Sequence, residues 1–89
     1  MDYEWDEAKR LRTIQDRGLD FIDTRFLFDG RPVFHYQSSR HGEERFVTVG
    51  YLSEIAIAVV WTLRDGARRI ISMRRARNAE ERAYRALHG

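Results

Sequence analysis

The chain has 89 residues, 43% hydrophobic and 12% aromatic, which describes one folded domain rather than a disordered chain or a pair of domains. It has no cysteine, which removes disulfides, thiol nucleophiles and cysteine-ligated zinc. The acidic start Met1-Asp2-Tyr3-Glu4-Trp5-Asp6 is unlike a secretory leader, and the longest apolar run, Ile55 to Trp61, is too short to span a bilayer, so a cytoplasmic protein is expected.

In chain order, Asp6 is a predicted N-cap, and Ala8, Leu11 and Ile14 recur at helical spacing up to a stop at Gly18. A helix over roughly residues 6–17 follows. Asp20 and Asp23 open a second predicted helix through Phe21, Ile22, Phe26, Leu27 and Phe28, ending at Asp29-Gly30. After Pro32 the pattern becomes extended: Val33 to Tyr36, then Arg45 to Leu52, then Ile55 to Leu63, apolar enough to be covered on both faces. Asp65-Gly66 is a hairpin turn, and a two-residue loop there sets Thr62 opposite Arg69 and Trp61 opposite Ile70. Arg69 to Arg74 is the last predicted strand. Asn78 with Glu81 three residues on opens a final helix over roughly 79–87. The expected fold is α+β: two N-terminal helices, a three- to four-stranded antiparallel sheet and a C-terminal helix, in a single domain spanning residues 1–89.

Charge is unevenly spread over these elements. Residues 1–30 carry eight acids and five bases, residues 31–59 three of each, and residues 60–89 eight arginines against three acids. All sixteen bases except Lys9 are arginine. The guanidinium fork pairs bidentately with phosphate and stacks on bases, so the basic C-terminal third points to a polyanion or an acidic protein.

Several stretches, taken in order, resemble the BrnT family. They are Trp5-Asp6-Glu7-Ala8-Lys9 with Gly18-Leu19-Asp20-Phe21, and Gly42-Glu43-Glu44-Arg45-Phe46. Thr62-x-Arg64 follows, then Arg69-Ile70-Ile71-Ser72-Met73-Arg74 with Ala76 and Glu81-Arg82-Ala83-Tyr84. The chain departs from that pattern in the first helix, where Thr13, Asp16 and Arg17 stand in place of an Asn and a Lys-His pair. The resemblance implies a RelE-like fold and a ribonuclease toxin that arrests translation. It also implies a BrnA-like antitoxin of the ribbon-helix-helix type, through which alone the toxin would meet DNA.

Metal-free RNA cleavage needs a base for the 2′-hydroxyl, cations for the phosphorane and an acid for the leaving 5′-oxygen. His35 and His41 stand apart without an acidic pair at metal spacing, so neither a metal nor another cofactor is expected. Arg64 at a strand end, Arg74 at the end of the last strand and Arg45 at the start of another are candidates for transition-state contact. Glu44 and Tyr84 are candidates for proton transfer, beside His41, which reads more simply as a solvated loop residue. Arg64, Arg69, Arg74, Arg75 and Arg77 are the candidate RNA-binding set. A non-enzymatic module that binds RNA or protein through the same arginines is the alternative. Trp61 is expected in the core and Trp5 at the entry of the first helix.

Overall fold

A computed structural model describes residues 1–40 and 42–89. The order is β1 (Tyr3–Glu4), α1 (Glu7–Arg17), a 3₁₀ helix (Phe21–Phe28), β2 (Phe34–Arg40), β3 (Glu43–Leu52), β4 (Ile55–Arg64), β5 (Ala67–Arg75) and α2 (Asn78–His88). The five strands form one sheet in the order β1-β5-β4-β3-β2. Four pair antiparallel; β1 lies parallel to β5, with Tyr3 opposite Arg68 and Glu4 opposite Arg69.

This corrects the expected architecture. The sheet is five-stranded and mixed, not three- to four-stranded and antiparallel, and a strand precedes the first helix. A two-residue strand carries no alternation for a sequence to display. Its pairing is set by backbone contact with a distant strand, as in the Arg68 N–H to Asp2 C=O bond of 2.8 Å.

The helical region has a clear local cause. The Asp6 carboxylate accepts from Lys9 N–H at 3.1 Å, and Gly18 closes α1 in the left-handed region (φ 68°), donating to Ile14 C=O at 2.9 Å. The second predicted α-helix is a 3₁₀ helix. Asp20 accepts from Ile22 N–H only two residues on (3.0 Å), and Thr24 Oγ1 donates to Phe21 C=O (2.7 Å), both of which tighten the turn. The residues it buries, Phe21, Thr24 and Leu27, follow the three-residue period of that helix.

The sheet has a core on each face. Phe21 and Leu27 pack on Ile57, Val59, Trp61, Ile70 and Met73, while the opposite face gathers Val47, Val49 and Ala58 under Phe34, Tyr36 and the Tyr84 ring of α2. β4 is therefore the doubly covered strand its composition predicts, and each fully buried side chain of the first cluster contributes roughly 1.5–3 kcal/mol. Trp61 is in the core at 8% exposure, its Nε1–H donating to Thr48 Oγ1 at 2.8 Å. Trp5 packs edge-on against Phe21 and donates to Glu7. At the β4–β5 hairpin Thr62 lies opposite Arg69 and Trp61 opposite Ile70, the register expected of a two-residue Asp65-Gly66 turn. One step further a bulge sets Val60 opposite Ser72 and leaves Ile71 without a partner. No helix among the described residues is long and apolar enough to cross a membrane.

Candidate functional site

The sheet face beneath α2 is apolar toward the end of that helix and basic toward its start. Because side chains alternate, Tyr36, Ser38 and Arg40 of β2 share this face with Arg45 and Val47 of β3 and with Ser72 and Arg74 of β5. With Arg77 they line a polar cleft of about 370 Å³. A second hollow of about 310 Å³ shares Arg40, Arg45, Ile71 and Ser72 with it and continues to Lys9, Arg12, Thr13, Asp16 and Arg17 of α1. The two form one groove running from the start of α2 to the flank of α1. The unpaired bulge residue Ile71 lies where they meet.

Glu80 anchors the α2 end. It is 6% exposed, and it receives Arg74 bidentately (2.7 and 3.0 Å), the Arg77 backbone N–H (2.8 Å) and the Tyr36 hydroxyl (2.5 Å). Burial alone would raise its pKa; the bonds from Arg74, Arg77 and Tyr36 outweigh that and hold it at about 2. The same contact holds the Arg74 guanidinium firmly protonated, while burial and the neighbouring carboxylate push Tyr36 upward. Glu80 therefore joins β2, β5 and α2 at one point.

The remaining cations of the groove are differently placed. Among the described residues, Lys9, Arg12, Arg17, Arg40 and Arg77 have no carboxylate within ion-pair distance. Arg17 donates to the Met73 carbonyl (2.8 Å). Arg45 meets Glu43 at 3.3 Å, and its buried Nε has no protein partner. Elsewhere Arg10, Arg31 and Arg69 are paired with Asp20, Asp29 and Glu4. A concentration of unneutralised guanidinium groups on polar, hydroxyl-bearing walls is suited to a chain of phosphates. A larger hollow of about 520 Å³ lies between the end of α1, the 3₁₀ helix and the β3–β4 turn. It contains one arginine, Arg31, already paired with Asp29, so volume does not locate the anion site.

Of the sequence-derived candidates, Arg45, Arg74 and Arg77 meet in the groove. Arg64 is exposed at the β4–β5 hairpin opposite Ala67, Arg69 is held by Glu4, and Arg75 is exposed opposite Ile57. Glu44 is exposed near the β2–β3 turn, with its carbonyl accepting from Thr62 Oγ1 at 2.8 Å. Tyr84 is packed between Tyr51 and His88 at ring distances of 5.2 and 4.9 Å, outside the groove lining. His41 lies outside the described residues.

The sequence reading passed over Glu80, Tyr36, Arg40 and the α1 wall. In the sequence, Asn78 with Glu81 imitates the start that Arg77 and Glu80 make in the structure. The residue before the helix is Arg77, and Glu80, not Glu81, bonds back to it. Arginine has no acceptor, so the usual N-cap residue type was missing as a signal. The departures Thr13, Asp16 and Arg17 all line the groove.

No curated protein matches the chain. Residues 5–80 match the family model described as the ribonuclease toxin BrnT of type II toxin–antitoxin systems, a stretch that runs from before α1 to Glu80 and so includes both walls of the groove. The chain belongs to the BrnT ribonuclease toxins, endoribonucleases that pair with an antitoxin.

Proposed function

We propose that the chain cleaves RNA without a metal ion, in the groove between α1, the sheet and α2, and that this cleavage inhibits translation in the cytoplasm. The observation that carries the reading is the set of five cations in the groove without a carboxylate partner among the described residues. Arg77 at one end, Arg40 where the two hollows meet, and Arg12 and Arg17 at the other end would hold successive phosphates. Arg45, with its unpartnered Nε, faces the middle and would stabilise the charge that builds on the phosphorane. Arg74, bound by Glu80, fixes the wall beside it. Asp16 is the carboxylate in the groove lining and is the base available to the 2′-hydroxyl. Attack of that oxygen on phosphorus would form the O2′–P bond and break the P–O5′ bond, the 5′-oxygen taking its proton from water, and leave a 2′,3′-cyclic phosphate. The antitoxin, of the ribbon-helix-helix, BrnA-like type, would cover this groove with acidic residues and carry the only contact with DNA.

Induction of the chain alone in a bacterial host, with growth and RNA integrity followed together, tests this. Arrest with RNA degradation is expected, with both lost when Arg45 and Arg77 are replaced by alanine at equal soluble expression. Normal growth with intact RNA would favour a binding module instead.

A further inference from the structure

The two edges of the sheet are treated differently. The β5 side is closed. β1 pairs its first half, Arg68 bonding to Asp2, and the Arg17 side chain of α1 takes the Met73 carbonyl in its second half. The β2 side is open. Its seven residues, Phe34-His35-Tyr36-Gln37-Ser38-Ser39-Arg40, pair with β3 in unbroken register and hydrogen-bond to no strand on their outer side. The strand contains no proline, lysine or bulge, the devices by which a regular edge is kept from pairing.

Beside this edge lies an apolar hollow of about 320 Å³ between β2 and α2. The small side chains of Ala79 and Ala83 leave room there over Phe34 and Tyr36. The end of α2 is pinned to the strand's start, His88 Nε2 meeting the Val33 carbonyl at 2.7 Å, so the helix borders the edge. At the other end of the strand stand Arg40 and Arg77, both without carboxylate partners among the described residues.

We propose that β2 is the docking edge for the antitoxin. An extended segment of it adds as a sixth strand, sets an apolar side chain over Phe34 and Tyr36, and carries carboxylates against Arg40 and Arg77. Backbone pairing would supply affinity, and the hollow would select every second side chain. Charge decides between this occupant and a second copy of the chain. In the two-fold pairing that matches all seven residues about Gln37, each Arg40 would fall beside the other copy's Phe34 and its apolar hollow. The one carboxylate there, Glu80, is already taken by Arg74. An acidic segment meets no such conflict on a chain of net charge +2 and pI near 9.4. The proposal rests on membership of a toxin–antitoxin family, and it brings the partner to the mouth of the groove it must block.

Amide hydrogen exchange, measured on the free chain and on the complex co-purified with its antitoxin, tests it. Amides within 34–40 should slow in the complex by at least about tenfold. The Ala83→Phe variant, which fills the hollow without adding a charge beside Arg77, should lose at least about tenfold in antitoxin affinity while free-toxin RNA cleavage stays unchanged. A formed complex with β2 exchange unaltered overturns the proposal. So does slowing in the antitoxin-free chain accompanied by a doubling of mass, which assigns the edge to a second copy. Failure of RNA cleavage in the wild type would strike the groove reading and leave the exchange result standing.

Discussion

Among the described residues, Glu80 is the charged side chain in the buried interior. Tyr36 of β2, Arg74 of β5 and the Arg77 backbone just before α2 converge on it. Removing its charge leaves Arg74 half-buried without a counter-ion, so Glu80→Gln should cost roughly 1–3 kcal/mol in urea unfolding at pH 7. The sign of the pH effect follows from its depressed pKa. The carboxylate contributes stability above its unfolded value of 4.5, and that contribution is lost as pH falls from there toward about 2. Unfolding at pH 7 and pH 3 should show the wild type losing more than half of this increment and the Gln variant lacking that loss. Gly50 is constrained by close approach: an added Cβ would lie 2.8 Å from Leu27 Cδ2 and 3.1 Å from Val33 Cγ1. Leu27 is fully buried and has little room to yield, so Gly50→Ala should destabilise by about 1–3 kcal/mol in the same measurement. Neither residue stood out in the sequence. Glycine in a strand signals only a possible close approach, and a glutamate three places into a helix reads as an ordinary cap partner until its depth is known.

Among the elements, those legible in the sequence are the ones with local causes. Asp6 and Gly18 bound α1 because a carboxylate and a left-handed glycine act within one turn. The Asp65-Gly66 turn fixes its hairpin register because both residues adopt positive φ, 51° and 80°. Gly66→Val should cost on the order of 1–2 kcal/mol by strain at that φ, read as a lowered thermal midpoint. The β3–β4 connection uses Ser53 and Glu54 at φ 49° and 68°, residue types that do not announce such a turn. β1 is non-local in origin. A run of aromatic and aliphatic residues from Phe21 to Phe28 fits either helical period, and the short bonds at Asp20 and Thr24 that select the tighter one are visible only in the structure. α1 shows the same limit from the functional side. It buries no residue and is held by polar contacts, Arg10 to Asp20 (2.8 and 3.2 Å) and Arg17 to Met73. Ala8, Leu11 and Ile14 recur at helical spacing, yet Leu11 stays exposed, and only the fold makes the polar side of the helix a wall of the groove.

At the scale of the whole molecule, the surplus of arginine near the C-terminus is visible in the sequence, but its useful geometry is not. The groove draws cations from α1, β2, β3, β5 and the residue before α2, whereas several arginines of the basic third, Arg64, Arg69 and Arg75, stand elsewhere. Grouping them required the topology that brings the flank of α1 and the start of α2 to the same sheet face. If the groove binds single-stranded RNA through three to five phosphate contacts, log K should fall with log salt at a slope of about −2 to −3.5, and each of Arg40→Ala and Arg77→Ala should make it shallower by about 0.7. Fluorescence titration of an uncleavable deoxy-substituted strand over a range of salt checks this. The central claim is metal-free cleavage in this groove. Its most direct test is incubation of the purified chain with RNA in excess chelator, with the product ends identified and an Arg45→Ala, Arg77→Ala variant alongside. Strands ending in 2′,3′-cyclic phosphate, formed at undiminished rate under chelation and at least about 100-fold more slowly in the folded variant, are the expected result. Cleavage abolished by the chelator, or unchanged in the variant, would contradict it.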